Sequence, residues 1–297
     1  QRGWMQKDQD SKRSYAPPIL KGDPVRSIGQ GTVVSSKSSK FTVGDNVISS
    51  SMIWADYLVL NEDAVTSKAI ELPGKPYAGL SVLGMPAVTA YQGIYDILDV
   101  KPEHTVLVSG AAGTVGSTAI QLAKNVIGAK RVVGIAGGKE KCDWVKSLGA
   151  DECVDYKDPN FKANLSKALQ GYADRYFENV GGDIMDAAFP NIARHGKIAL
   201  CGMIANYLGE PPKFPHFGEV ITNRITIQGF IVIDFLPRWQ EAVTKMAAAI
   251  KEGKLSVADS ETIVSGPVDV VPEKYQLLFS GQSRGKLLTA IDTKASL

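Results

Sequence analysis

The stretch Thr105-Val-Leu-Val-Ser-Gly-Ala-Ala-Gly-Thr-Val-Gly116 constrains the fold more than any other part of this chain. Residues 105–109 form a short, mostly apolar run rich in valine, the composition of a strand buried on both faces. Glycines follow at 110, 113 and 116, and Val115, Ala119, Ile120, Leu122 and Ala123 recur at helical spacing. A strand, a glycine-rich turn and a helix in that order make a phosphate cradle. Glycines let the backbone approach a pyrophosphate, and the unpaired N–H groups and dipole at the helix start attract its charge. The same GxxGxxG spacing also serves as plain tight packing of helix on strand, so the surroundings have to decide between the two.

Those surroundings favour the cradle. From about Gly84 apolar strand candidates alternate with helical segments. The strands are expected at 105–109, 131–135, 152–155, 176–179, 197–201 and 225–230, and the helices at 115–127, 140–148, 160–170 and 183–193. Most of these helices end near glycine or another turn former. The alternation predicts an α/β fold with a doubly wound parallel sheet and ligands at its carboxyl edge. Residues 1–83 differ, with short strand candidates at 31–34, 46–48 and 56–60 between turn formers, and read as a smaller β-rich domain. Arg238 to Lys251 predicts a long helix closed by Gly253. Beyond it, segments 261–264, 272–279 and 286–291 do not extend the α/β pattern. The expected domains are therefore 1–83 (β-rich), 84–258 (dinucleotide-binding) and 259–297, a return to the β-rich domain; 297 residues suffice for two cores.

Composition excludes several classes of partner. The net charge is only +2 and no basic stripe stands out, so nothing argues for nucleic acid. Three cysteines (142, 153, 201) and three histidines (104, 195, 216) are too scattered for a disulfide framework or a metal site. No apolar run is long enough for a bilayer, and no leader is visible at Gln1, so a reducing cytoplasm is the expected compartment.

The end of the second α/β strand selects the dinucleotide. An acidic residue there binds the adenosine ribose 2′-OH, whereas basic residues accept a 2′-phosphate. This chain reads Ile135-Ala-Gly-Gly-Lys-Glu-Lys141, with small residues at the strand end and two lysines on the next helical turn. That pattern favours NADPH. Glu140 as a ribose acid is the competing reading, and Lys139 and Lys141 as a solvated helix face is the plain one. Tyr156, at the end of the third strand, can stack on or donate to the same phosphate.

With these residues in view, the chain resembles the zinc-free branch of the medium-chain dehydrogenase/reductase superfamily that holds prostaglandin reductases and alkenal double-bond reductases. The matching motifs are Gly84-Met-Pro-Ala-Val-Thr-Ala-Tyr91, the 108–116 turn, Ala136-Gly-Gly-Lys-Glu-Lys141, and Tyr176-Phe-Glu-Asn-Val-Gly-Gly182. They continue with Cys201-Gly-Met-Ile-Ala-Asn-Tyr207, Arg224-Ile-Thr-Ile-Gln-Gly-Phe230 and Leu278-Phe-Ser-Gly-Gln-Ser-Arg-Gly-Lys286. The resemblance implies a Rossmann sheet beside a GroES-like β-rich domain whose first part, about fifty residues ahead of Arg2-Gly3, is missing. It assigns Thr89 and the turn Gly113, Thr114, Val115 and Gly116 to the cofactor phosphates and ribose. Lys141 and Tyr156, with Gly137 giving them room, match the 2′-phosphate positions. Asn179 and the loop Cys201 to Tyr207 would line the nicotinamide ribose, and Phe230 to Val232 the carboxamide. In the C-terminal motif, Ser283 stands where the family commonly has asparagine, so that cofactor contact is shorter or lost, with Gly285 two residues on. The zinc-binding branch's ligands have no counterpart in Ile28-Gly-Gln-Gly-Thr-Val33.

The implied reaction is NADPH-dependent reduction of the C=C bond of an α,β-unsaturated ketone or aldehyde. Tyr207 is the residue expected to hold the enolate oxygen or deliver the proton. A quinone reductase of the same superfamily and a non-catalytic NADPH-binding protein are the alternatives. The resemblance also implies a homodimer through Ile225 to Val232, an apolar, β-branched edge.

Overall fold

A computed structural model describes residues 15–207, 211–281 and 283–292; Arg2 and Gly3 lie outside the described residues. The chain divides into two compact units, one of Gln1–Leu80, Ile263–Ser280 and Leu287–Leu297, the other of Ser81–Thr262 and Gly281–Lys286.

The first unit holds strands β1 (Arg26–Thr32), β2 (Asn46–Ile53) and β3 (Ser67–Lys68), which form an antiparallel sheet in that order. A bulge between Ser27 and Gly29 bends β1, and a Cβ on Gly29 would stand 2.7 Å from the sulfur of the flexible Met52 side chain, which packs against it. The strand expected at 56–60 does not form. Those residues carry no regular structure, and 56–59 are open to solvent, with Val59 fully exposed. Ser67–Lys68 takes the third place instead, because Thr66 N–H donates to the Ile48 carbonyl and Ala69 N–H to that of Asn46, both at 2.8 Å. An apolar run becomes a strand only where a partner satisfies its backbone, and 56–60 has no strand beside it.

The second unit is built on a six-stranded parallel sheet. Its strands are β4 (Thr105–Val108), β5 (Arg131–Ala136), β6 (Glu152–Asp155), β7 (Ala173–Glu178), β8 (Ile192–Leu200) and β9 (Thr226–Gly229), in spatial order β6-β5-β4-β7-β8-β9. Helices α1 (Met85–Gln92), α2 (Thr114–Gln121), α3 (Lys139–Ser147), α4 (Phe161–Leu169), α5 (Gly182–Ala188), the one-turn α6 (Glu219–Thr222) and α7 (Trp239–Lys251) accompany it. Val106, Leu107, Val108, Val132, Val133 and Ile135 have no solvent exposure, which is why these strands read as apolar runs rather than alternating ones. Leu107, Val133 and Ile135 pack with Leu165, Tyr176, Phe189 and Ile198 in one core, and each such side chain contributes about 1.5–3 kcal/mol by leaving water.

Local chemistry sets the ends of the elements. Helix α2 continues as a π-helical turn to Ile127 and stops at Gly128, whose φ of +79° is the left-handed cap. Helix α5 ends five residues before the expected limit at 193. Phe189-Pro190-Asn191 forms a 3-10 turn there, and Ile192 leaves it extended to begin β8.

The C-terminal segment is shared. Strands β10 (Glu261–Gly266) and β11 (Lys286–Ile291) pair with each other, and helix α8 (Val271–Ser280) lies between them in sequence. Residues 281–286 belong to the second unit, where Gly285 N–H donates to the Ala112 carbonyl at 2.9 Å and Lys286 N–H to that of Ser260 at 2.8 Å.

Candidate active site

The strand order reverses between β4 and β7, so the carboxyl ends of these strands open a crevice at a topological switch point. The 109–116 turn sits there. Gly110 has φ +58°, and Gly113 caps α2 with no side chain bonded to the first turn of the helix. The two later glycines do different work. A Cβ on Gly116 would lie 2.3 Å from the Gly110 oxygen and 2.7 Å from Ala111 Cα, so this residue lets helix and strand meet. Gly113 is exposed, and a Cβ there would meet only the Gly110 oxygen at 3.4 Å, so its smooth face is turned outward. Gly285 joins this turn through a bridge to Gly113. Its φ is +65° and a Cβ would stand 2.2 Å from the Ser260 oxygen, so only glycine fits.

At the end of β5, the turn into α3 is held by Asp155, whose carboxylate accepts from the N–H groups of Gly138 (2.8 Å) and Lys157 (2.9 Å). A Cβ on Gly137 would come within 2.7 Å of the Tyr156 hydroxyl, so its absence makes space for the tyrosine. Lys141 is half-buried. Desolvation holds its ammonium below the ordinary lysine range, the charges of Lys157 and Arg284 add to the shift, and Glu140 opposes it. The structure thus brings Gly137 and Tyr156 together, and it sets Lys141 among two cations, Lys157 and Arg284, that the sequence pattern did not single out. Arg284 lies over the Trp144 ring, 5.5 Å from its centroid, and reaches Glu140 (3.5 Å) and Asp259 (3.4 Å). Lys139 points elsewhere, pairing with Asp143 at 2.5 Å on a solvated face. Glu140 is nine-tenths exposed.

The ends of β7 and β8 supply the third region. Asn179 Nδ2 donates to the Ser109 carbonyl (2.7 Å), and its N–H donates to Ser109 Oγ (2.9 Å). Cys201 N–H donates to the Glu178 carbonyl at 2.9 Å, and burial, then the Glu178 charge, pushes the Cys201 thiol up to about 12. The following loop contains a 3-10 turn at Ile204–Asn206, tied to Asn179 and Val180 by the N–H groups of Ile204 (3.3 Å) and Ala205 (2.9 Å). Tyr207 closes it, its hydroxyl accepting the Met203 N–H at 3.1 Å beside Gly202. Asn179, Cys201 and Tyr207 are therefore neighbours through one loop. Phe230 N–H donates to the Leu200 carbonyl at 3.4 Å, and its ring meets Phe177 edge-on at 6.1 Å, with buried Val232 two residues beyond. Thr89 lies on α1, its hydroxyl donating to the Met85 carbonyl at 2.8 Å. Ser283 stands next to Arg284, whose N–H donates to Thr262 Oγ1 at 3.1 Å.

Comparison with known proteins agrees with this layout. A family described as zinc-binding dehydrogenase matches residues 114–249, and the N-terminal domain of oxidoreductase matches residues 1–67. A putative NADP-dependent oxidoreductase of Bacillus subtilis is 37% identical over 295 residues, covering 95% of this chain and 83% of its own. The NADP(+)-dependent 2-alkenal reductase of Nicotiana tabacum is 35% identical over 286 residues, 94% of this chain and 80% of its own. The chain belongs to the zinc-free double-bond reductase branch of the medium-chain dehydrogenase/reductases. The crystal structure of CurA from Vibrio vulnificus in complex with NADPH aligns with this double-bond reductase at a TM-score of 0.84 and 35% identity, covering 98% of this chain and 86% of that one. Among its described residues, no group of three or more His, Cys, Asp or Glu side chains is placed to hold a metal ion. No helix among them is long and apolar enough to cross a membrane.

Proposed function

We propose that the chain is an NADPH-dependent reductase of the C=C bond of α,β-unsaturated ketones and aldehydes. The observation that carries this reading is Lys141, half-buried among the like charges of Lys157 and Arg284, on the helix that follows the Gly137 turn. Cations gathered at a desolvation cost call for an anion, and a 2′-phosphate at the end of the second α/β strand is the anion that fits. The uncapped start of α2 and the outward face of Gly113 fit a pyrophosphate in the same way. When bound, the dinucleotide supplies a hydride to the β-carbon of the substrate.

The chain's own residues position and polarise. Thr89, the Gly113–Gly116 turn, Ser283 and Gly285 hold the phosphates and ribose. Asn179, Cys201, Phe230 and Val232 line the nicotinamide side. Tyr207 accepts the Met203 N–H, which polarises its hydroxyl as a donor. We assign that hydroxyl to the developing enolate oxygen, where a preset donor lowers the barrier, and to proton delivery at the α-carbon. Substituting Tyr207→Phe is expected to lower turnover about 100-fold while NADPH affinity stays nearly unchanged; unaltered enone turnover would sink the role.

The reading as a whole is tested by NADPH oxidation against enones and enals, with NADH and a quinone as comparison arms. Preference for NADH overturns the Lys141 and Tyr156 assignment, and faster quinone reduction moves the chain to the quinone reductases. We further place a homodimer contact along the β9 edge, where Ile221, Ile233 and Leu236 are exposed apolar side chains near an unpaired strand edge. Sedimentation that returns a monomer at micromolar concentration removes that contact. Its three free cysteines fit a reducing compartment, and we place the chain in the cytoplasm.

A further inference from the structure

Glu178, at the end of β7 beside the switch point, has no solvent exposure. Its Oε1 accepts from Ser109 Oγ (3.0 Å), from Gly181 N–H (2.7 Å) and from Val180 N–H, and its Oε2 accepts the Tyr176 hydroxyl. Ser109 Oγ in turn accepts the Asn179 N–H at 2.9 Å. The Glu178 carbonyl accepts from Cys201 (2.9 Å) and Gly202 (3.2 Å). One residue thereby gathers the ends of β4, β7 and β8. All four groups facing the carboxyl are donors, so an ionised carboxylate satisfies every one of them. A glutamine amide or a protonated acid has to put its own hydrogen on the Tyr176 hydroxyl, which must then rotate and accept, and the bonds from Val180, Gly181 and Ser109 lose their charge assistance.

We propose that Glu178 is a positioning residue of this enzyme: its ionised carboxylate fixes the Asn179–Gly181 turn and, through it, the Cys201–Tyr207 loop against which the cofactor binds. The proposal deepens the reductase reading given above and rests on it. Tyr176 on β7 and Cys201 at the end of β8 are the titratable side chains that face the carboxyl. Burial pushes Glu178 up to about 7, and the bonds from Gly181, Val180 and Ser109 restrain the rise. The residue therefore titrates in the neutral range, with two consequences of opposite sign. The cofactor pocket tightens as pH rises through about 7. Stability moves the other way, because the native acid holds its proton more firmly than the unfolded one. That contribution is complete below the unfolded value of 4.5 and is lost as pH rises through about 7.

The test measures NADPH affinity by cofactor fluorescence, and Tm without cofactor, from pH 5.5 to 8.5 in wild type, E178Q and S109A. The 2′-phosphate itself titrates near ~6, so the readout is the difference from wild type at each pH. E178Q is expected to bind NADPH about tenfold more weakly at pH 8 and to lose the wild-type fall in Tm across the neutral range. S109A removes one donor that favours the ionised form, so its transition moves to higher pH. It also keeps the proposal falsifiable where E178Q does not fold. Equal affinity of E178Q and wild type at pH 8, an unchanged Tm profile in E178Q, or an unmoved transition in S109A each overturns the proposal. Wild type that binds no NADPH at any pH overturns the reductase reading and the proposal with it.

Discussion

Replacing Gly116 with alanine is expected to destabilise the second unit and to weaken NADPH binding together. The new Cβ would meet the Gly110 oxygen at 2.3 Å and Ala111 Cα at 2.7 Å, and both are backbone atoms that cannot rotate away. Relief requires α2 to lift from the end of β4. Overpacking of this kind costs about 1–3 kcal/mol, a fall in Tm of roughly 2–10 °C for a unit of this size. The lifted helix carries its first N–H groups away from the pyrophosphate, so NADPH affinity falls by at least about tenfold. Gly113→Ala separates the two effects. Its Cβ has 3.4 Å to the nearest atom and stands on the exposed face of the turn. Stability should hold while cofactor affinity drops. Thermal melts and cofactor titrations of both variants check this, and wild-type affinity in Gly113→Ala would remove the phosphates from this turn.

The second large effect is on cofactor choice. Lys141→Ala removes the half-buried cation that follows the Gly137 turn, and the 2′-phosphate loses a charge-assisted hydrogen bond. Such a bond contributes about 1.5–3 kcal/mol, which corresponds to a 10- to 150-fold rise in Kd for NADPH. NADH, which lacks that phosphate, should bind with nearly unchanged affinity. The measurement is the ratio of the two dissociation constants at fixed ionic strength, since salt screens the remaining Lys157 and Arg284. An unchanged ratio would place the phosphate elsewhere. Because Lys141 is held below the ordinary lysine range, NADPH binding should also begin to fail at lower pH on the alkaline side than for a solvated lysine.

The local frame of the candidate site was legible in advance because its signals are local. Gly110, Gly113 and Gly116 follow a valine-rich strand and lead into an apolar helical stripe, all within nineteen residues, Thr105 to Ala123. Backbone geometry over that span depends on little else. The positions of Tyr156 and Lys141 were legible for a similar reason, since Tyr156 follows a strand end and Lys141 lies on the helix after one. Other features had no such signal. Arg284 follows a C-terminal glycine motif and reaches Glu140 and Trp144 only because Gly285 is pinned to Ala112. Glu178 reads as an ordinary acid inside a motif, and its burial among four donors depends on Ser109, 69 residues earlier. Lys139 read as a second phosphate lysine, but the helix turns it toward Asp143. Segment 56–60 had the composition of a strand, but the chain offers its neighbour's edge to Ser67–Lys68.

By itself the sequence determined the six strands of the parallel sheet and their periodicity, the glycine turn, and a preference for a phosphorylated dinucleotide, because each is written in the spacing of nearby side chains. Only the tertiary structure decided which charges gather around Lys141, which glycines packing requires, and that a buried carboxylate ties three strand ends together. Those properties depend on desolvation and on distances between residues far apart in the chain, and neither quantity exists until the sheet has formed.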